Sequence, residues 1–197
     1  MALTLRRLAP KPTGKPVYHF APEEAIADIL LEKYGAAYTP ADFAPEEYSW
    51  SPVPMRKVDL SKAAEYLPKK GVQMLIHSHV LEHIPGSVDR IISDMNDAIA
   101  PGGYHIFQVP IHTGWYREDM NPRLSREARE ERFYQWDHLR VFGTNDFPER
   151  CLSLFHGFER IDVSKVITAD ELNEAGVPPS TITKLTGHTP FVFRKLK

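Results

Sequence analysis

From Gly71 to Ser78 the chain reads GVQMLIHS, an almost unbroken apolar run, which is the pattern of a strand buried on both faces of a parallel sheet. The period then changes. In SVDRIISDMNDAIAPGG (87–103), Val88, Ile91, Ile92, Met95 and Ile99 recur at helical spacing, and Pro101 with two glycines stops the helix. YHIFQVPI (104–111) returns to a strand pattern. Upstream, PVYHF (16–20) predicts a short strand that gives way to a helix over PEEAIADILLEKYG (22–35). There Pro22 suits a first-turn position, Glu23 and Glu24 complement the helix dipole, and Gly35 ends the run. AAYTPADF (36–43) predicts a strand interrupted by Pro40, and MRKVDL (55–60) another, followed by a short helix over SKAAEYL with Ser61 as its cap. Downstream, Asn145 or Asp146 is placed to cap a helix over FPERCLSLFHG with Phe147, Cys151, Leu154 and Phe155 facing inward, and FERIDV and TPFVFRK close the chain as two strands.

Strand and helix alternate, which predicts an α/β fold: a Rossmann-like, open and mostly parallel sheet with helices on both faces and an antiparallel last strand. A length of 197 residues suits one domain, expected over 16–197, after a flexible N-terminal tail at 1–15 that is basic and free of acids. Twelve of the seventeen prolines cluster at 10–22, 40–68 and 178–190, so these stretches are expected to be rich in loops. The formal charge of −2 gives no general attraction to nucleic acid or to an anionic membrane, and neither a signal-peptide core nor a membrane span is apparent. Cys151 is the single cysteine; it excludes an internal disulfide and a cysteine-based zinc ribbon, and suits a reducing, cytoplasmic setting.

Candidate chemistry gathers in two places. His79, Glu82 and His83 stand at i, i+3 and i+4, so a helical turn would put them on one face; with His138 they form a candidate set for a divalent metal. The competing expectation is a folding element in which the glutamate and histidine only make supporting hydrogen bonds. The second place is a polar insertion at about 112–137, with one helix predicted at 126–133. Its aromatics Trp115, Tyr116, Phe133, Tyr134 and Trp136 suit either a lid or ordinary packing. Arg123, Arg126, Arg129, Arg132 and Arg140 suit either an anionic acceptor or a solvated face balanced by Glu127, Glu130 and Glu131. His112 and Tyr116 are placed to orient or deprotonate a substrate hydroxyl, or merely to close a loop. Asp137 either fixes the His138 tautomer or pairs with Arg140.

MLIHSHVLEHIPGSVDRIISDMNDAIAPGGYHIFQVPI, with WDHLRVFG, FPERC and GF further on, resembles the second half of class I S-adenosylmethionine-dependent methyltransferases; the likeness extends over about 17–195. It implies a site at the carboxyl ends of the strands. His19, Phe20, Ala21, Pro22 and Glu23 stand where the family has a glycine-rich first loop; this chain has no glycine there, but is similar to a bacterial subgroup with a His-Phe-Ala-Pro-Glu pattern. Asp42 matches the residue that holds the ribose hydroxyls, Asp59 and Leu60 the adenine contacts, and His77, Ser78 and His79 the end of the fourth strand beside the methyl-transfer site.

The resemblance therefore implies S-adenosyl-L-methionine as cofactor, and an acceptor that is a small molecule or a sugar- or lipid-linked metabolite. His79, His112 and His138 are the candidate catalytic bases. Certain related methyltransferases hold a metal with a Glu-x-x-Glu-His cluster and a distant histidine; His79, Glu82, His83 and His138 are similar to that set, with His79 in place of the first glutamate. The chain is short before its first strand, so completion of the pocket in a homodimer is a further expectation. Two alternatives stay open: a methyltransferase-like binding subunit without catalysis, and a metal-dependent hydrolase or isomerase using the histidine cluster.

Overall fold

The computed structural model describes residues 1–8 and 10–197. The chain opens with helix α1 (Ala2–Leu8), then strand β1 (Val17–Phe20) and α2 (Glu24–Tyr34), whose residues Ile26, Ala27 and Leu30 are buried at the spacing expected. Strands β2 (Tyr38–Asp42) and β3 (Arg56–Lys57) follow, then α3 (Ala63–Tyr66), β4 (Val72–Ser78), α4 (Val88–Ala98) and β5 (Ile99–Gln108). The insertion contains β6 (Ile111–His112), β7 (Arg117–Glu118), α5 (Arg126–Phe133) and β8 (Arg140–Gly143). The chain ends with α6 (Phe147–Arg150), β9 (Phe158–Arg160), α7 (Ala169–Glu174) and β10 (Phe191–Lys195).

The main sheet has the order β3-β2-β1-β4-β5-β10-β9. Its first five strands are parallel, and β10 runs antiparallel between β5 and β9. β4 is buried at every residue, which explains why its sequence shows no polar alternation. Two apolar layers cover the sheet. On one face Tyr18, Phe20, Leu75 and Phe107 pack under Ala63 of α3 and Val88, Ile91, Ile92 and Met95 of α4. On the other, Val17, Met74, Ile76 and Val192 pack under Leu5 of α1, Leu30 of α2 and Leu172 of α7. Pro40 lies inside β2 because β3 pairs only with Ala41 and Asp42, so no ladder hydrogen bond from β3 is lost at the proline.

Several expectations are corrected. The first fifteen residues, expected as a flexible tail, begin with α1, whose Leu5 is buried and whose Arg7 pairs with Glu171 of α7; residue 9 lies outside the described residues. Their far end is tied down too: Thr13 donates through N and Oγ1 to Gln73 Oε1, both at 2.9 Å, and Gln73 Nε2 donates to the Lys11 carbonyl at 2.7 Å. Asp59, not Ser61, caps the turn before α3, accepting from Ser61 N at 2.9 Å and Ser61 Oγ at 2.6 Å. Asp146 stands at the start of α6 but makes no capping bond; its Oδ1 instead accepts from Tyr116 N at 2.9 Å and ties the insertion to the body.

The Pro-Gly-Gly segment is also placed differently. α4 stops at Ala98, and 101–103 lie inside β5 where its register with β4 slips. A Cβ on Gly103 would stand 2.7 Å from the Gln73 carbonyl oxygen and 2.9 Å from that of Ala100, so only glycine lets the two strands approach. Gly103→Ala is expected to cost about 1–3 kcal/mol by overpacking against backbone. The midpoint of urea unfolding measures this, and an unchanged midpoint would show that the strands part at no cost.

Candidate functional site

The order of the sheet reverses between β1 and β4: the chain goes from β1 outward to β2 and β3, then returns to place β4 on the other side. Loops leaving the carboxyl ends of β1 and β4 therefore diverge, and a crevice must open between them. It is a cavity of about 650 Å³, within the range of small-molecule sites. Phe20 and Ala21 leave β1 into it, Asp42 and Phe43 leave β2, and His79 and Val80 leave β4; Asp59 and Leu60 form the floor of the turn after β3. Glu47, Tyr48, His83, Ile84, Pro85 and Asp137 complete the wall.

The exit from β1 makes its turn without glycine. Ala21 adopts φ 45°, and its N–H donates to the Ala41 carbonyl at 3.2 Å. His19 is wholly buried between Tyr38 Oη, 3.3 Å from Nδ1, and Glu23 Oε2, 2.9 Å from Nε2. Burial pushes the Glu23 carboxyl up, but the hydrogen bond and charge of His19 outweigh it and hold the group below its ordinary value. His19, Pro22 and Glu23 thus brace the loop from behind, whereas Phe20 and Ala21 face the cavity.

Asp42 is fixed by two donors, Ala44 N to Oδ1 at 2.8 Å and Tyr48 Oη to Oδ2 at 2.9 Å. Burial and then this hydrogen bond to Asp42 raise the Tyr48 pKa, so its hydroxyl stays a donor. Each carboxylate oxygen keeps a lone pair for a ligand. Asp59 uses only Oδ1 for its cap. Among the described residues no Lys or Arg lines the cavity, while Asp42, Glu47, Asp59 and Asp137 do, so the space favours a cationic or neutral occupant.

The end of β4 separates the three residues grouped there by sequence. His79 turns out of the strand with φ 52°, donates its N–H to the Gln108 carbonyl at 3.0 Å, and lies on the cavity wall. A left-handed non-glycine residue is a strained conformation that tight surroundings must hold. The Glu82 carboxylate, 3.5 Å from Nδ1, favours the protonated ring and raises the His79 pKa against the effect of burial. Ser78 sits just behind, with Oγ 3.5 Å from Gln108 Oε1. His77, expected beside the cofactor, is instead fully buried, with Nε2 3.0 Å from His105 Nε2 and its ring stacked on Phe107. It shares a sheet face with its register partner Phe20, which borders the cavity, but Phe107 and His105 cover it where the cavity would be.

Residues 81–83 form a turn, closed by His83 N donating to the Val80 carbonyl at 3.0 Å, so no helix aligns the cluster. Glu82 is nonetheless central to it. Its carboxylate lies 3.5 Å from His79 Nδ1 and 3.9 Å from His83 Nε2, and the His83 ring meets the His138 ring edge-on at 4.8 Å between centroids. Asp137 approaches His83 Nδ1 at 3.3 Å rather than pairing with Arg140, and His138 Nδ1 lies 3.1 Å from the Phe133 carbonyl. Burial and the neighbouring His83 lower the His138 pKa.

Two of the three candidate bases stand off the cavity. His138 is buried behind it, and His112 stacks on Tyr134 at 4.0 Å in the insertion, its pKa lowered by burial, His138 and Arg117. Arg129 and Arg140, candidates for holding an anionic acceptor, are buried and donate to backbone carbonyls. Phe43, Glu47, Tyr48, Ile84 and Pro85 were missed from sequence. Phe43 carried a signal, since it follows Asp42 and is a large apolar residue at a strand exit; the proline-rich loop holding Glu47 and Tyr48 has no periodicity to place it.

No protein-family profile matches the chain, and no curated protein sequence does either. Solved structures do. An S-adenosylmethionine-dependent methyltransferase from Mesorhizobium loti superposes with TM-score 0.61 at 13% identity over 97% of this chain and 95% of its own. One from Archaeoglobus fulgidus gives 0.57 at 14% over 98% and 92%. Phosphoethanolamine N-methyltransferase 2 of Haemonchus contortus, solved with S-adenosyl-L-methionine, gives 0.55 at 14% over 98% of this chain and 51% of its own. The chain has the fold of these methyltransferases: a Rossmann-like, mostly parallel sheet with helices on both faces and an antiparallel strand β10. Among the described residues no helix is long and apolar enough to cross a membrane.

Proposed function

We propose that the chain is an S-adenosylmethionine-dependent methyltransferase acting on a small-molecule or sugar- or lipid-linked acceptor. One observation carries the reading: on a fold shared with such enzymes, Phe20, Asp42, Asp59, Leu60 and His79 converge on one cavity at the reversal point of the sheet. The residues fit an adenosyl group. Asp42, held by Ala44 and Tyr48, presents acceptor lone pairs to the ribose hydroxyls, with Glu47 beside it. Asp59 Oδ2 is left for the exocyclic amine, and Leu60 and Phe43 offer apolar faces to the ring.

When bound, S-adenosylmethionine supplies an electrophilic methyl group on a cationic sulfur. The chain's own part is to offset that charge with cavity carboxylates, hold the acceptor in line and exclude water. His79 is the candidate base because it alone of the three histidines proposed from sequence borders the cavity. Segment 112–137 is proposed as a lid, since Asp137 brings its end to the cavity wall.

Calorimetric titration with S-adenosylhomocysteine tests the reading. Saturable binding is expected, and Asp42→Ala should weaken it about 10–100-fold, as loss of hydrogen bonds to a charged group would. Tyr48→Phe, which leaves the carboxylate in place, should weaken it less. Absence of heat with a folded protein would favour the alternative of a binding subunit without catalysis.

A further inference from the structure

The insertion carries a small sheet of order β6-β8-β7, none of whose residues lines the cavity. Register puts His112 beside Gly143 and Arg117 beside Val141, so these four residues share one face. A Cβ on Gly143 would stand 2.5 Å from Trp115 Cα, so the chain crosses directly over that glycine and brings Trp115 to the same face. The crossing is braced on both sides: Asn145 N donates to the Gly114 carbonyl at 2.9 Å, and Tyr116 N donates to Asp146 Oδ1 at 2.9 Å. Trp115 is nonetheless 66% exposed. Tyr134, also exposed, stacks on His112 at 4.0 Å between centroids, and Arg117 Nη2 donates to its hydroxyl at 3.5 Å. It ends α5 at φ 71°, the left-handed position that helices usually give to glycine. A tyrosine kept there is kept for its ring. Two large aromatic side chains held in water on a fixed backbone form a surface suited to a flat partner.

Charge selects the partner. Arg117 has no carboxylate partner among the described residues, because the acids that follow it are committed elsewhere: Glu118 to Arg140 and the Tyr116 hydroxyl, Asp119 to Arg132. The cavity is lined by carboxylates and, among the described residues, by no Lys or Arg, so the anionic part of an acceptor has to find its cation outside it. We infer that the outer face of this small sheet binds a nucleoside diphosphate group, with the base stacked on Trp115 and the phosphates on Arg117. Under the methyltransferase reading, on which its purpose rests, that group is the non-reacting end of the acceptor. An indole stacks on any base, and a guanidinium takes a phosphate through two parallel N–H bonds. An anionic bilayer fits worse, since it would also meet the exposed Glu127, Glu130 and Glu131 of α5. The face stands near the cavity: His138, close enough to lower the His112 pKa, meets the ring of His83 on the cavity wall.

Calorimetric titration in the presence of excess S-adenosylhomocysteine, which keeps nucleotides out of the cavity, tests the inference. The probes are uridine diphosphate (UDP), UDP-glucose, uridine and inorganic pyrophosphate. UDP and UDP-glucose are expected to bind alike, and both more tightly than uridine or pyrophosphate, because each half of the group has its own partner. Trp115→Ala and Arg117→Gln alter exposed side chains, so both variants should keep the parent's thermal midpoint and its affinity for S-adenosylhomocysteine. Each should weaken UDP about 10-fold. Arg117→Lys, which keeps the charge but not the fork, should lose less. No saturable UDP binding in the parent, or unchanged affinity in both folded variants, overturns the inference, as does adherence to phosphatidylglycerol vesicles without UDP binding. Exclusion of UDP-glucose where UDP binds would overturn the acceptor role. UDP binding that depends on Trp115 and Arg117 in a protein without affinity for S-adenosylhomocysteine would instead count against the methyltransferase reading alone.

Discussion

Lowering the pH from about 7.5 to about 4.5 is expected to remove roughly 3 kcal/mol of folding stability through the buried His105, with a further loss through its neighbour His77. His77 and His105 face each other across β4 and β5 at 3.0 Å between Nε2 atoms, and both are fully buried. Asn96 sets the protons. Its Nδ2 donates to the Leu154 carbonyl, so its Oδ1, 2.8 Å from His105 Nδ1, must accept a proton carried there. His105 Nε2 is then bare and accepts from His77 Nε2–H, and His77 Nδ1 is left with no partner among the described residues. Lys195 Nζ, donating to the Asn96 carbonyl at 2.7 Å, adds positive charge nearby. An extra proton would have to go to His77 Nδ1, where it finds no acceptor among the described residues.

Burial pushes His105 down to about 3, and burial followed by the charge of His105 pushes His77 well below its ordinary value. The unfolded chain takes up protons near pH 6.5 while the folded chain does not, so stability is full above that pH and falls as pH drops toward the folded value. For His105, two pH units below 6.5 amount to about 2.7 kcal/mol. His77 adds to the fall, His112 and His138, also lowered, act in the same direction, and His79, raised by Glu82, opposes them. Native stability is typically about 5–15 kcal/mol, so a fall of this size is a large fraction of it. Urea unfolding across this range measures the fall. His77→Phe keeps a ring on Phe107 and should make the fall shallower; a flat pH profile in the parent, or an unchanged slope in that variant, would defeat the explanation.

The same pair shows where sequence stops being informative. β4 and α4 were legible because a buried parallel strand is apolar throughout and an amphipathic helix repeats at 3.6 residues, so Val72–Ser78 and Val88–Ala98 declare themselves. Alternation predicted the parallel sheet, but Phe20, Asp42, Asp59 and His79 at its carboxyl edge were legible only through the resemblance to class I methyltransferases. What no pattern delivered is where the core ends and the cavity begins: Phe20 and His77 are register partners on one face, yet Phe20 borders the cavity and His77 is covered by core. The left-handed turns at Ala21 and His79 were illegible because alanine and histidine rarely adopt them, and the helix at 2–8 because so short an element takes its stability from packing of Leu5 rather than from pattern. Arg129 and Arg140 departed from expectation for a different reason, whereas Arg123, Arg126 and Arg132 are exposed as a solvated face would have them. A charged side chain is exposed far more often than not, and nothing in DHLRVFG announces that Arg140 is buried.

Arg140 carries the other large expected effect. It stands on β8, fully buried, with Nη1 donating to the Leu81 carbonyl at 2.7 Å and Nη2 to the Gly86 carbonyl at 2.6 Å. Those two carbonyls bracket the loop that holds Glu82, His83, Ile84 and Pro85, so one guanidinium fixes both ends of a cavity wall that has no regular secondary structure of its own. Only arginine offers two forked donors at that separation. Glu118, 3.6 Å from Nε, supplies the countercharge but is 40% exposed, so its removal is expected to cost under about 1 kcal/mol. Arg140→Ala strands the carbonyl of buried Leu81, releases that of Gly86 and opens a cavity, a loss of about 3–5 kcal/mol. Arg140→Lys, which can reach one carbonyl but not both, should lose about half as much and stay folded. In that variant amide exchange over 80–86 should quicken and S-adenosylhomocysteine affinity fall, while Glu118→Gln changes neither. Urea unfolding of Arg140→Ala within about 1 kcal/mol of the parent would mean that the loop is held by its apolar contacts alone.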